Sequence, residues 1–83
     1  MAFTWQINID KKGTGFVYEP NPLKDVAAGD QIIWTNNDDK THHPSLLPHP
    51  IPPGSSSDTY VASKTVTYKD TLHAGPTGSI TVS

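Results

Sequence analysis

Apolar and polar residues alternate one by one through Phe3-Thr4-Trp5-Gln6-Ile7-Asn8-Ile9, the period of a strand with one buried face. Asp10 to Gly15 reads as a turn. Phe16-Val17-Tyr18 reads as a strand that Pro20 and Pro22 confine to a sheet edge, because proline has no N–H for the ladder. Leu23 to Val26 is extended, and the turn Ala28-Gly29-Asp30 leads into Gln31-Ile32-Ile33-Trp34-Thr35, the clearest strand signal, with Ile32 and Trp34 on one face. After a polar turn from Asn36 to Lys40, His42 to Leu47 is expected as a short strand before the loop Pro48 to Gly54. Ser55 to Val61, Thr65 to Tyr68 and Gly78 to Val82 complete the set. No window carries helical periodicity over three turns. The expected fold class is therefore all-β: a single domain over residues 1–83, built as a Greek-key β-sandwich of about seven strands.

Composition narrows the function classes. The 83 residues include no cysteine, so neither a disulfide nor a thiolate ligand is available. A net charge of -2, from six lysines and no arginine against eight acids, gives no surface suited to nucleic acid or membrane. No stretch is long enough to span a bilayer, and the N-terminus lacks a signal-peptide pattern. Met1-Ala2 running straight into a strand fits either a cytosolic protein or a mature domain given a start codon. Asp38-Asp39 is the only dense acidic run, and a solvated turn is its expected setting.

The chemistry-bearing residues are four histidines and one acid. His42 and His43 are adjacent, so on a strand they face opposite ways and only one can point inward. His49 lies in the proline loop, and His73 follows Asp70 by three residues. In Thr65-Val66-Thr67-Tyr68-Lys69-Asp70 the even positions run Val, Tyr, Asp, which sends Asp70 toward the interior. A buried carboxylate is costly unless a cation or several donors meet it. Two expectations follow from the residues alone: a metal held by Asp70, His73 and a distant histidine, or local turn hydrogen bonds at Asp70-Thr71.

The run Ala28-Gly29-Asp30-Gln31-Ile32-Ile33-Trp34-Thr35-Asn36-Asn37-Asp38, with His42 eight residues after the tryptophan, resembles the cupredoxins, the small plastocyanin- and amicyanin-like blue copper proteins. So does the ending Tyr68-Lys69-Asp70-Thr71-Leu72-His73-Ala74-Gly75-Pro76-Thr77-Gly78 before a last strand, where that family carries Tyr-x-Cys-x-x-His-x-x-Met-x-Gly. The resemblance covers nearly the whole chain and implies metal ligands at His42 and His73. The thiolate position falls on Asp70 and the axial thioether position on Pro76.

With a carboxylate in place of the thiolate, the implied donor set is two nitrogens and one oxygen. It favours Cu(II), with Zn(II) as the other candidate, over Cu(I), and makes electron transfer slow. Pro76 has no side-chain donor, so remaining positions fall to water, a backbone carbonyl such as that of Thr41, or His49. Asn37 and Thr71 are expected to orient the ligands by hydrogen bonding.

The apolar stretch Leu46 to Pro53 is read as a contact face for a redox or copper-handling protein, with an oligomer contact or a loop folded over the sandwich end as the alternatives. The resemblance implies a periplasmic or secreted setting. The expected function is copper handling; the alternatives are an electron carrier with an unusual copper site and a metal-free interaction module. With no substrate pocket legible in so short a chain, an enzyme is not expected.

Overall fold

The computed structural model describes residues 2–83; Met1, read above as leading with Ala2 into the first strand, lies outside them. Seven strands form two mixed sheets packed as a β-sandwich, and among the described residues there is no helix. One sheet has the order β2-β1-β4-β5, from Gly15–Glu19, Thr4–Lys12, Gln31–Asn36 and Tyr60–Val61. The other has the order β3-β7-β6, from Leu23–Val26, Thr77–Val82 and Val66–Lys69. β1 runs parallel to β4, and β3 parallel to β7. The chain thus crosses between the layers instead of meandering through one.

Alternation along the strands builds the core. Ile7 and Ile9 of β1, Phe16 and Tyr18 of β2, Ile32 and Trp34 of β4, Tyr68 of β6 and Ile80 of β7 are all buried. The layers meet through edge-to-face aromatic pairs, Tyr18 with Tyr68 at 4.8 Å and Trp34 with Tyr68 at 5.3 Å between ring centres, an arrangement that suits the ring quadrupoles. Trp5 is only partly buried. Its indole N–H donates to Asp30 Oδ2 at 2.9 Å, and the same carboxylate accepts from the amides of Phe3 and Ala27, both at 3.0 Å. Asp30 thereby ties the start of β1 to the turn before β4.

The strand boundaries depart from expectation where proline or a tighter turn intervenes. β1 continues to Lys12, and the expected turn from Asp10 shrinks to Gly13-Thr14, with Gly13 at φ +59°. His42 to Leu47 forms no strand. It makes isolated bridges, His42 with Ile51 and Pro44 with Asp70, because Pro44, Pro48 and Pro50 have no N–H to continue a ladder. Of Ser55 to Val61 only Tyr60–Val61 pairs as a strand, while Ser56 bridges Thr35.

Tyr68 lies opposite Gly78 in the β6–β7 ladder, and it covers the glycine so closely that a Cβ there would clash with its ring carbons and hydroxyl oxygen. Gly78→Ala is therefore expected to force the ring aside and lower stability by about 1–3 kcal/mol. A urea midpoint unchanged from wild type would show that the ring has room elsewhere.

Candidate metal centre

The candidate centre lies where three segments meet at one end of the sandwich. β6 ends at Lys69, and the next residues are stitched to the His42 segment: Ser45 N–H donates to Lys69 O at 2.8 Å and Thr71 N–H to His43 O at 2.9 Å. His42 exchanges backbone hydrogen bonds with Ile51. Asn36, the last residue of β4, is fully buried; its side-chain amide donates to Lys40 O at 2.7 Å and Ile51 O at 2.9 Å, and its Oδ1 accepts from Asp38 N–H. A single amide side chain closes the loop that presents His42.

His42 is 1% exposed and sits between two carboxylates. Its Nδ1 lies 2.5 Å from Asp70 Oδ2 and its Nε2 lies 2.7 Å from Asp38 Oδ2. Carboxylates accept only, so each of these oxygens requires a hydrogen on the ring nitrogen it faces. The other oxygen of Asp70 accepts from the amides of His43 at 2.9 Å and Leu72 at 3.0 Å.

Burial alone would raise the pKa of Asp70. The hydrogen bond from His42, those from Leu72 and His43, and the charge on His42 outweigh it and hold the carboxyl below its ordinary value. Asp38 is balanced in the same way and also lowered: burial acts upward, while hydrogen bonds from His42 and Asp39 and the charge on His42 act downward.

His73 is exposed, and its ring lies 5.2 Å from that of His42. Its Nε2 is 2.9 Å from Thr41 O. A carbonyl only accepts, so the hydrogen sits on Nε2 and Nδ1 keeps the lone pair. One donor atom from each of His42, Asp70 and His73 lies within 4.8 Å of the others, a group that could hold a metal ion. Ligand atoms around a four-coordinate ion stand roughly 3–3.5 Å apart when the bonds are about 2.0–2.2 Å long. The fit therefore asks His73 to close in and the Nδ1–Oδ2 pair to open slightly. Tyr68 offers no competing phenolate, since burial pushes its pKa up to about 12.

The remaining expected residues lie elsewhere. His49 is exposed on the proline loop and outside the group. Asn37 is exposed and donates to Asp10 Oδ1 at 2.9 Å, away from His42, and it is the neighbouring Asn36 whose side chain holds the His42 loop. Thr71 contributes its backbone N–H to His43, with its side chain exposed. His43 turns from the centre and donates from Nε2 to Leu47 O at 2.7 Å. Leu47 and Ile51 of the apolar stretch are buried in the core, so the loop folds over the sandwich end through those two residues.

Asp70 points inward as the alternation requires, and two amides and the His42 ring satisfy it, the hydrogen-bonded setting the sequence left open beside a metal. One reading of charge needs correction: Asp38 is not a solvated turn residue. It is buried against His42. The signal for it was the same alternation, since Ile32, Trp34, Asn36 and Asp38 continue one inward face past the end of β4.

Phe16 covers the other side of His42, ring centres 4.3 Å apart, and reaches it over Gly75, where a Cβ would come within 2.8–2.9 Å of the phenyl ring. A depression of roughly 560 Å³ opens beside these residues, lined by Lys11, Thr14, Phe16, Asp38, His42 and His73 among others. It gives an ion access from solvent. No protein-family model matches the chain, and no curated protein matches it.

Both carboxyls have folded pKa values below the unfolded value of about 3.9. Their contribution to stability is full above about pH 5 and is lost as pH falls through the folded values. Urea midpoints taken between pH 7 and pH 3 should therefore fall with acidity, and less steeply in Asp70→Asn. Equal slopes in the two proteins would remove Asp70 as a source of the acid sensitivity.

Proposed function

We propose that this protein binds a divalent transition-metal ion, Cu(II) by preference, through His42, Asp70 and His73, and serves in copper handling. The observation that carries the reading is the convergence of these three side chains at one end of the sandwich. The two histidines are also the positions at which the cupredoxin resemblance implies ligands. Nitrogen and carboxylate donors suit Cu(II) and Zn(II), and with no thiolate the set is poorly matched to Cu(I).

The chain supplies the rest of the chemistry. Asp70 reserves Oδ1 for the amides of His43 and Leu72, which leaves Oδ2 as its one ligand atom. His73, holding Thr41 O through Nε2, offers Nδ1. His42 must give up the hydrogen shared with Asp70 to become a ligand, so uptake releases a proton and weakens in acid. A bound ion would supply Lewis acidity, but the chain's own side chains do no more than bind and orient it. A periplasmic or secreted setting follows from the resemblance alone.

A second reading has one observation in its favour. His42 and Asp70 are mutually satisfied without an ion, as they would be in a metal-free interaction module that keeps only the scaffold. Calorimetric titration with Cu(II) and Zn(II) separates the two. Copper handling predicts one saturable site for each ion, abolished in Asp70→Ala and His73→Ala. At free ion about 100-fold above Kd it also predicts a gain of about 2.7 kcal/mol, a melting shift of roughly 10–20 °C. Absence of saturable uptake and of any melting shift would leave the metal-free reading. An intense red-region absorption on adding Cu(II) would contradict the nitrogen and oxygen donor set.

A further inference from the structure

The strongest unassigned feature of the molecule is the carboxylate on the far side of His42. We propose that Asp38 is a positioning residue for the metal centre: it fixes the ring so that Nδ1 faces Asp70 and His73, and its charge biases the site toward divalent over monovalent ions. This deepens the divalent-ion reading above and rests on it.

The geometry carries the positioning half. Asp38 Oδ2 stands 2.7 Å from His42 Nε2, and both side chains are almost entirely shielded, at 1% and 4% of their accessible surface. A carboxylate facing Nε2 requires the hydrogen there, which leaves Nδ1 as the nitrogen with a lone pair once an ion replaces the proton shared with Asp70. Asp38 is itself held. Its Oδ1 accepts from Asp39 N–H at 2.8 Å, and its own N–H donates to Asn36 Oδ1 at 3.0 Å. Asn36 in turn is fixed by Lys40 O and Ile51 O. The ring therefore cannot rotate without breaking a buried network that begins at the end of β4. Phe16 against the ring face blocks tilting on one side.

Charge carries the selectivity half. With neutral imidazoles, Asp38 and Asp70 sum to two negative charges, which one divalent ion neutralises and one monovalent ion does not. Coulomb attraction scales with the charge of the ion. The Asp38 charge, acting from beyond the ring, therefore counts about twice as much for Zn(II) as for Ag(I). Lys11 lines the same depression, but it is paired with Asp39 at 3.1 Å, and both are exposed to solvent that screens them.

Asp38→Asn and Asp38→Leu test the two halves. Asparagine keeps an oxygen that can accept from Nε2–H and removes the charge; leucine removes both. Affinities for Zn(II) and for Ag(I), an air-stable monovalent ion, are measured by competition with chelators on wild type and both variants. Loss of a hydrogen-bonded carboxylate behind a ligand histidine costs about 10–100-fold in metal affinity. Asp38→Asn should therefore weaken Zn(II) by about that factor and Ag(I) by about its square root, so the Zn(II)/Ag(I) ratio falls about 3–10-fold. Asp38→Leu should weaken both ions further.

The ratio within one variant is insensitive to partial unfolding, because a lower folded fraction reduces both apparent affinities by the same factor. Equal weakening of the two ions by Asp38→Asn, or none, overturns the selectivity role. An Asp38→Leu no weaker than Asp38→Asn overturns the positioning role. Wild-type protein that takes up neither ion overturns the metal-binding reading and this inference with it, a result distinct from wild-type uptake with an unchanged ratio.

Discussion

A buried imidazole held at both ring nitrogens by carboxylates is the constraint around which this end of the sandwich is organised. Each partner comes from a different part of the chain: Asp38 from the extension of β4, His42 from the proline-interrupted segment that follows, Asp70 from the end of β6. None of the three would be comfortable alone, since an unpaired charge at such depth costs several kcal/mol (of order 3–5 for breaking a buried pair). Together they satisfy one another, and the backbone is drawn in around them. His43 and Leu72 give their amides to Asp70, and Asn36 gives its side chain to the loop. The network joins the two layers where the strands have run out.

On the proposed metal-binding reading, the same network would both prepare the residues for an ion and compete with it. Every donor atom except His73 Nδ1 already has a partner, so the centre is ordered in advance and little conformational entropy remains to be lost on binding. The competing term is the hydrogen between His42 Nδ1 and Asp70 Oδ2, which an ion must displace. Under the proposed reading, such a site would exchange a proton for a metal ion within a fixed frame. It differs from a loop that folds around metal, where the binding free energy is also the folding free energy. His73 is the exposed member and the one with room to move.

Much of the fold was legible because alternation is a strong signal when one face is buried. Ile7, Ile9, Ile32, Trp34, Tyr68 and Ile80 all lie where a period of two puts them, and Asp70 was placed inward by the same rule. What failed was the reading of short range against long range. Asp38 follows Asn36 and precedes Asp39 in a polar stretch, and local composition suggested a solvated turn; its partner His42 is buried through bridges to Ile51 that no local window contains. Asn37 and Asn36 are indistinguishable by type, and only the parity of the strand before them decides which one faces the loop. Proline interrupted the strand expected at His42 sooner than apolar content implied, and the serine-rich start of the segment from Ser55 pairs only through Ser56. The conflict between a cation and hydrogen bonds at Asp70 could not be resolved by sequence, because the amides that satisfy it belong to a turn whose shape depends on the tertiary contact itself.

The most direct test of the central claim is a long-range proton–nitrogen NMR spectrum of the histidine rings, recorded before and after one equivalent of Zn(II). Coordination at this centre predicts that the Nδ1 resonances of His42 and His73 move to the range of metal-bound nitrogen while those of His43 and His49 stay in place. Movement confined to the exposed His49, with the His42 pattern unchanged, would show that the His42 ring keeps its hydrogens to the carboxylates and that no ion enters there.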